Sequence, residues 1–259
     1  MSEIQYLSYS SINLFLTCGE AWRRKYIERE PQSTTPALLF GSALHNTIEQ
    51  HIAYRAEGKE EPILTMWRTF WNGAVEREIE CEWGADTPEQ HYNEGIRLLS
   101  NPDLQQMVNR LTPLRDDSGL FMERKIELRV PGVPVPIIGY IDIVTNDGIP
   151  GDFKTSAQQW SNEKARAELQ PLTYLAALNQ MGRNVPGLRF RHYVMTKTKV
   201  PKVQVIETQH TWDSIFWFYG LVQQVWRAIE SESFVVNPHA WFCGPRFCNA
   251  WSKCRGKGM

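Results

Sequence analysis

Asp152-Phe153-Lys154 sets a carboxylate and an amine two residues apart. In an extended segment that spacing points both side chains to one face of a sheet. Asp142 lies ten residues upstream, and Asn146-Asp147-Gly148 between them is a strong hairpin-turn signal. If Thr145 pairs with Ile149 around a three-residue turn, Asp142 comes directly opposite Asp152, with Cβ atoms ~4.5–5.5 Å apart. A two-residue turn would break that alignment, so the expectation hangs on register. Two carboxylates so close are costly unless neutralised. Mg²⁺ or Mn²⁺ would neutralise them, being hard cations that prefer carboxylate oxygens and keep water ligands. Such an ion acidifies a bound water and polarises a phosphoryl oxygen, and Lys154 beside it would position that water or steady developing charge. A surface pair across two strands with a compensating lysine is the other reading of the same spacing.

A second chemistry-bearing group sits near the C-terminus. Cys243, Cys248 and Cys254 fall within twelve residues, spaced C-x4-C-x5-C. Clustered thiolates in a reducing compartment read as metal ligands, and a four-thiolate site needs one more donor, Cys18 or Cys81. Cys81 lies in a Glu-rich stretch and reads as a spare thiol. Two basic runs accompany these groups. Arg189, Arg191, Lys197, Lys199 and Lys202 follow one another without nearby acids, and Lys253, Arg255 and Lys257 lie beside the cysteines. They would track the phosphates of a single strand, or else form solvated edges.

The elements that must position these groups are legible in outline. Ser10 or Ser11 would cap a helix whose apolar stripe runs through Ile12, Phe15, Leu16, Gly19, Trp22 and Tyr26. A second helix begins near Pro36 and carries Leu39, Leu44, Ile48 and Ile52, with His45 in its middle. Further helices are expected over 62–82, 87–110, 161–182 and 211–231. Ile126, Leu128 and Val130 alternate with charged residues as a half-buried strand does. That pattern puts Glu123 and Glu127 on its outward face, where either could be an extra site carboxylate or simply solvated. Strands are expected at 137–145, 149–155, 189–195 and 203–208. Trp67 with Trp71, and Trp217 with Leu221, read as core by their helical spacing. The order predicts an α/β (α+β) fold, with a mainly helical part over 1–110, a core over 121–208 and a cysteine-rich tail over 237–259.

The 259 residues carry 28 Lys and Arg against 29 Asp and Glu, which excludes a uniformly basic protein but not a local basic groove. No apolar run approaches the ~20 residues of a membrane helix, and the first residues lack the features of a secretory signal. A cytoplasmic protein with no membrane partner is therefore expected.

Gly139-Tyr140-Ile141-Asp142, followed by Asp152-Phe153-Lys154-Thr155, resembles the PD-(D/E)xK nucleases. Gln170-Pro171-Leu172-Thr173-Tyr174 resembles the Gln-x-x-x-Tyr element of that superfamily's RecB-like branch, and Gly41-Ser42-Ala43-Leu44-His45 its helical Gly-x-x-x-His element. The resemblance implies a restriction-endonuclease-like core, a central mixed sheet flanked by helices, in a single domain over 1–259. It implies a cation held by His45, Asp142, Asp152 and the backbone carbonyl of Phe153. Lys154 would be the catalytic lysine, with Gln170 and Tyr174 orienting the site and the DNA strand.

Leu7-Ser8-Tyr9-Ser10-Ser11 with Phe15, Cys18, Trp22 and Tyr26 resembles the N-terminal motif of the iron–sulfur nucleases, AddB-type subunits and CRISPR-associated RecB-like exonucleases among them. That resemblance implies a 4Fe–4S cluster on Cys18, Cys243, Cys248 and Cys254, stapling the tail to the first helix. Two departures stand out: Gly19 where the family usually has proline, and two extra residues between Cys243 and Cys248. Zinc on the same four thiolates is the alternative. The implied activity is metal-dependent exonucleolysis of single-stranded DNA in recombination, repair or replication. An endonuclease of the same chemistry and a non-catalytic DNA-binding subunit are the competing readings. With no Gly-x-x-x-x-Gly-Lys-Ser/Thr loop, the chain would take an open end or rely on a helicase or recombination partner.

Overall fold

The structure, a computed structural model, describes residues 4–32, 34–78 and 81–255. The chain divides into two compact units. One comprises Met1–Ser33, Ile126–Gly139 and Thr211–Met259; the other comprises Thr34–Lys125 and Tyr140–His210. The helices are α1 (Tyr9–Thr17), α2 (Gly19–Tyr26), α3 (Pro36–Ala56), α4 (Ile63–Arg77) and α5 (Pro88–Leu99). They continue with α6 (Pro102–Arg110), α7 (Asn162–Ala167), α8 (Gln170–Gln180), α9 (Trp212–Glu230) and a last turn, α10 (Trp251–Cys254). A small ribbon, β1 (Arg115–Asp116) with β2 (Gly119–Leu120), precedes five longer strands. These are β3 (Met122–Leu128), β4 (Ile137–Val144), β5 (Pro150–Ser156), β6 (Arg189–Thr196) and β7 (Val203–Gln209), adjacent in that order in one sheet. β4 pairs antiparallel with β5, β5 parallel with β6, and β6 antiparallel with β7, so the sheet is mixed. The helices flank it, giving the α/β, restriction-endonuclease-like arrangement expected.

In the first unit the N-terminal stripe is two helices, not one. Ser8 is the cap: its hydroxyl accepts from the Ser11 amide at 3.1 Å, and the Ser11 hydroxyl accepts from the Ser8 amide at 2.9 Å. Neither Ser10 nor Ser11 takes that place, because the reciprocal pair already satisfies the first free amides. Cys18 is extended (φ −162°, ψ 108°) and separates α1 from α2. The cause lies at Gly19, whose amide donates to the Val235 carbonyl at 3.0 Å. A Cβ there would sit 2.9 Å from the Val235 nitrogen, so only glycine admits the irregular tail segment this close. Trp22 then stacks on Phe234 at 5.9 Å and meets Phe15 edge-on at 5.5 Å. On α9 the buried stripe is Ile215, Phe218, Val222, Val225 and Ile229. Trp217, expected in the core, is 59% exposed because it falls about 100° around the helix from Phe218.

In the second unit, residues of α3 to α6 share a core with Ile143, Phe153, Tyr193 and Met195 of the sheet. Trp67 and Trp71 lie in it, stacked at 5.4 Å. The stretches expected as single helices over 87–110 and 161–182 are each broken in two. Asn101 accepts from the Asp103 and Leu104 amides and restarts the chain as α6, and Pro102 cannot continue α5. Pro171 likewise opens α8 rather than extending α7. Trp160, Ala165, Val194 and Ile206 form a separate small cluster.

Gly151 adjoins Asp152 in β5. A Cβ at this position would lie 2.5 Å from the Tyr193 ring and 3.2 Å from the Arg191 carbonyl oxygen. Tyr193 is buried and stacked on Phe153 at 5.1 Å, so it has little room to yield. Gly151→Ala is expected to lower unfolding free energy by about 1–3 kcal/mol in a denaturant titration. Unchanged stability would show that the ring moves aside freely.

Candidate metal and catalytic site

The hairpin that carries the acidic pair has the register expected from a three-residue turn. Ile143 pairs with Gly151 and Val144 with Pro150, while the Thr145 amide donates to the Ile149 carbonyl at 3.0 Å. Thr145 Oγ1 ties the turn further, bonding Asp147 and the Ile149 carbonyl. One step beyond the paired residues, Asp142 Oδ2 accepts from the Phe153 amide at 2.7 Å. A carboxylate thus joins the two strands at the position where a backbone carbonyl would otherwise serve.

Three elements aim polar side chains at this point. α3, capped by Thr35 and opened by Pro36, brings His45 Nε2 to 2.6 Å from Asp142 Oδ2. β5 supplies Asp152 and Lys154, with Nζ 2.8 Å from Asp152 Oδ2. α8 supplies Gln170, whose Nε2 donates to Asp152 Oδ1 at 2.5 Å while its Oε1 accepts from Lys154 Nζ at 2.7 Å. Tyr174, one turn on, donates to the Tyr140 carbonyl at 2.7 Å and lies 2.8 Å from Gln170 Nε2. The structure therefore brings His45, Asp142, Asp152, Lys154, Gln170 and Tyr174 together. Phe153 places its ring between Tyr193 and the His45 imidazole. A groove of about 390 Å³, lined in part by Gly41, Ser42, His45, Phe153, Lys154 and Thr155, opens beside them. At Gly41 a Cβ would meet only Thr155 Oγ1, at 3.8 Å.

Burial sets the electrostatics. Asp142 is pushed up to about 6 by burial and by the Asp152 charge, against the pull of His45. Burial draws the His45 imidazole down, but Asp142 outweighs it and holds the ring above its ordinary value. Lys154 is likewise penalised by burial and held above its usual range by Asp152. Burial raises Tyr174, so its hydroxyl keeps its proton. His192, paired with Asp152 across β5 and β6, is pushed down to about 4 by burial and is neutral.

Two carboxylates join the group. Glu49, one turn after His45 on α3, is buried, and burial pushes it up to about 11. Sequence reasoning missed it, although the four-residue spacing from His45 was a usable signal. Glu123, on the outward face of β3 as the alternation predicts, reaches 3.9 Å from His45 Nδ1 with a positive φ of 44°. Glu127, the other outward carboxylate, pairs instead with Arg129. Ligand atoms of His45, Glu49, Glu123 and Asp142 all lie within 4.8 Å of one another. Asp152 Oδ2, 2.8 Å from Lys154 Nζ, and Glu49 Oε1, 3.3 Å from His45 Nδ1, are buried and make these charged contacts without well-aligned hydrogen bonds among the described residues. The buried carboxylates of Asp142 and Asp152, with the His45 imidazole 2.6 Å from Asp142, are a donor set that suits a hard divalent cation.

The expected basic run is less free than its sequence suggests. Arg189 and Arg191 both meet Glu207, at 3.2 and 2.9 Å, and Arg191 also pairs with Asp147 at 2.7 Å. Antiparallel pairing of β6 with β7 sets Glu207 opposite Arg191, a neighbour hidden by sequence distance. Lys197 lies 5.4 Å from the Phe40 ring centroid, and Lys199 and Lys202 are exposed. In the tail Lys253 pairs with Glu30 and Arg255 covers Trp251. Lys257 lies outside the described residues.

In the other unit Cys18, Cys243, Cys248 and Cys254 line one cavity. Burial raises the Cys248 thiol, and the three other cysteines push it in the same direction. A cation relieves such mutual repulsion, so the donor set suits a thiolate-bound metal. Cys81 is buried elsewhere, in the α3–α6 core.

Residues 6–255 match the family model of the PD-(D/E)XK nuclease superfamily. Among solved structures, the chain is similar to a "Putative exonuclease" from Eubacterium rectale, with TM-score 0.62 and 11% identity over 97% of this chain and 88% of that one. A second, SSO0001, aligns over 96% of each chain at TM-score 0.36 and 14% identity. No curated protein matches. Among the described residues no helix is long and apolar enough to cross a membrane.

Adding Mn²⁺ should raise the melting temperature. At a concentration 100 times the dissociation constant the gain is about 2.7 kcal/mol. Asp142→Asn should abolish the shift; a shift that persists in that variant would place the ion elsewhere.

Proposed function

Because the chain belongs to the PD-(D/E)XK nuclease superfamily, we propose that it is a metal-dependent deoxyribonuclease acting from the ends of single-stranded DNA. The reading takes residues 1–259 as one nuclease domain in recombination, repair or replication. The observation that carries it is the convergence of two bonded groups on one hairpin: His45 on Asp142, and Lys154, Gln170 and Tyr174 on Asp152.

Mg²⁺ or Mn²⁺ would be held by Asp142, Asp152, His45 and the backbone carbonyl of Phe153. When bound, the ion supplies an acidified water and polarises the scissile phosphoryl group. An imidazole among the ligands favours Mn²⁺ over Mg²⁺. Lys154 is the residue that meets the developing negative charge. Its ammonium is fixed by Asp152 on one side and by the Gln170 carbonyl on the other, so it need not reorganise during reaction. Gln170 cannot rotate without losing Asp152 and Tyr174, and Tyr174 is anchored to the β4 backbone. These two positioning residues hold the lysine and one carboxylate in register.

The groove beside His45 and Lys154 is where a strand would lie, with exposed Lys199 and Lys202 and the partly free Lys197 near its phosphates. Arg189 and Arg191, tied to acids, are assigned lesser parts. The description of the Eubacterium rectale protein as an exonuclease is in line with action at ends. An endonuclease of the same chemistry is the alternative. On duplex ends a helicase would supply the open strand.

In the first unit the four cysteines would hold a 4Fe–4S cluster, with structural zinc as the alternative. Loop-closure entropy grows slowly with length, so one clip closing more than 200 residues is tolerable. The clip fixes the tail beside the extended Cys18–Gly19 break.

Lys154→Met should abolish Mn²⁺-dependent degradation of linear single-stranded DNA, and the wild type should leave single-stranded circles intact. Rapid cutting of circles would make it an endonuclease, and undiminished activity in the variant would remove the catalytic assignment. For the cysteines, the anaerobically purified protein should contain iron and a visible thiolate-to-iron absorbance that Cys18→Ala loses. Zinc without colour would select the alternative.

A further inference from the structure

Glu49 and Glu123 have no part in the chemistry just described, yet each is held at His45 under unfavourable conditions. Glu49 is 6% exposed, and its Oε1 lacks a hydrogen-bond partner while lying 3.3 Å from His45 Nδ1. A carboxylate is rarely buried in this way without a compensating contact. Its position four residues after His45 keeps both side chains on one face of α3. Glu123 adopts a left-handed backbone (φ 44°), a conformation that costs a side-chain-bearing residue energy and survives where surroundings fix it. Its carboxylate ends 3.9 Å from the same Nδ1. Both acids thus address the ring nitrogen that faces away from Asp142, while Nε2 addresses Asp142 at 2.6 Å.

We propose that Glu49, assisted by Glu123, positions His45: it accepts the Nδ1 proton and so fixes the ring with Nε2 turned toward Asp142 and the cation. This rests on the reading of His45 as a cation ligand. An imidazole carries one donor and one acceptor nitrogen when neutral, and a carboxyl oxygen accepting at Nδ1 settles which is which. Glu49 is the principal partner, being rigidly placed on the same helix and buried. Glu123 is half-exposed and lies farther away. Without Glu49 the imidazole could rotate or take the other tautomer, leaving no Nε2 lone pair for the cation. Glu49 acts through His45 and is not itself a ligand.

The test uses the full-length protein in two independent arms. In the metal-free arm, ¹⁵N-histidine spectra should show a slowly exchanging His45 Nδ1–H, identified by its loss in His45→Gln. It should broaden or vanish in Glu49→Ala and persist in Glu49→Gln, which keeps an acceptor. In the calorimetric arm, Glu49→Ala should weaken Mn²⁺ binding roughly ten- to hundredfold without changing stoichiometry. Glu49→Gln should recover most of the affinity, and Glu123→Gln should have the smaller effect. An unchanged Nδ1–H signal in Glu49→Ala overturns the proposal. So does a loss of one bound ion per chain in Glu49→Gln, which would make Glu49 a ligand. If the wild type binds no Mn²⁺, the nuclease reading fails, while the spectra still decide whether Glu49 holds the ring.

Discussion

Two carboxylates buried on neighbouring strands set the terms for everything around them. Asp142 and Asp152 are each about 95% or more inaccessible, and their like charges raise the cost of ionising both. A protein core tolerates this only with compensating positive charge close by. Lys154 and His45 supply part of it from opposite sides. Asp152 Oδ2 meets the Lys154 ammonium but has no well-aligned hydrogen bond among the described residues. Hard divalent ions, which nucleases of this superfamily use, favour such carboxylate oxygens.

The same constraint explains why rigid elements carry the site. Asp142 bonds the Phe153 amide, so the carboxylate also fastens the strand that bears Asp152 and Lys154. Gln170 spans Lys154, Asp152 and Tyr174 with one amide, and Tyr174 returns the chain of bonds to β4. No member moves alone. Tyr193 stacks beneath Phe153 and crowds Gly151, locking β5 against β6 next to the acids. Buried polar networks of this kind cost stability unless complete, and here nearly every bond is made.

Much of this was legible because short-range rules govern it. The Asn146-Asp147-Gly148 turn fixed the register, and register brought Asp142 to Asp152. Four-residue spacing on α8 placed Gln170 and Tyr174 together. What escaped depends on contacts distant in sequence. Glu207 claims Arg189 and Arg191 only because β7 returns antiparallel to β6. The approach of Val235 to Gly19 breaks what periodicity reads as one helix. Glu49 hid in plain view: a carboxylate between apolar neighbours reads as a surface residue until His45 is seen one turn away.

The most direct check is a crystal structure with Mn²⁺, using the anomalous signal of the metal to locate it. The account requires a peak bounded by oxygens of both Asp142 and Asp152, with His45 Nε2 turned toward it. A peak that engages only one of the two acids, or none at this hairpin in a crystal saturated with Mn²⁺, would contradict it.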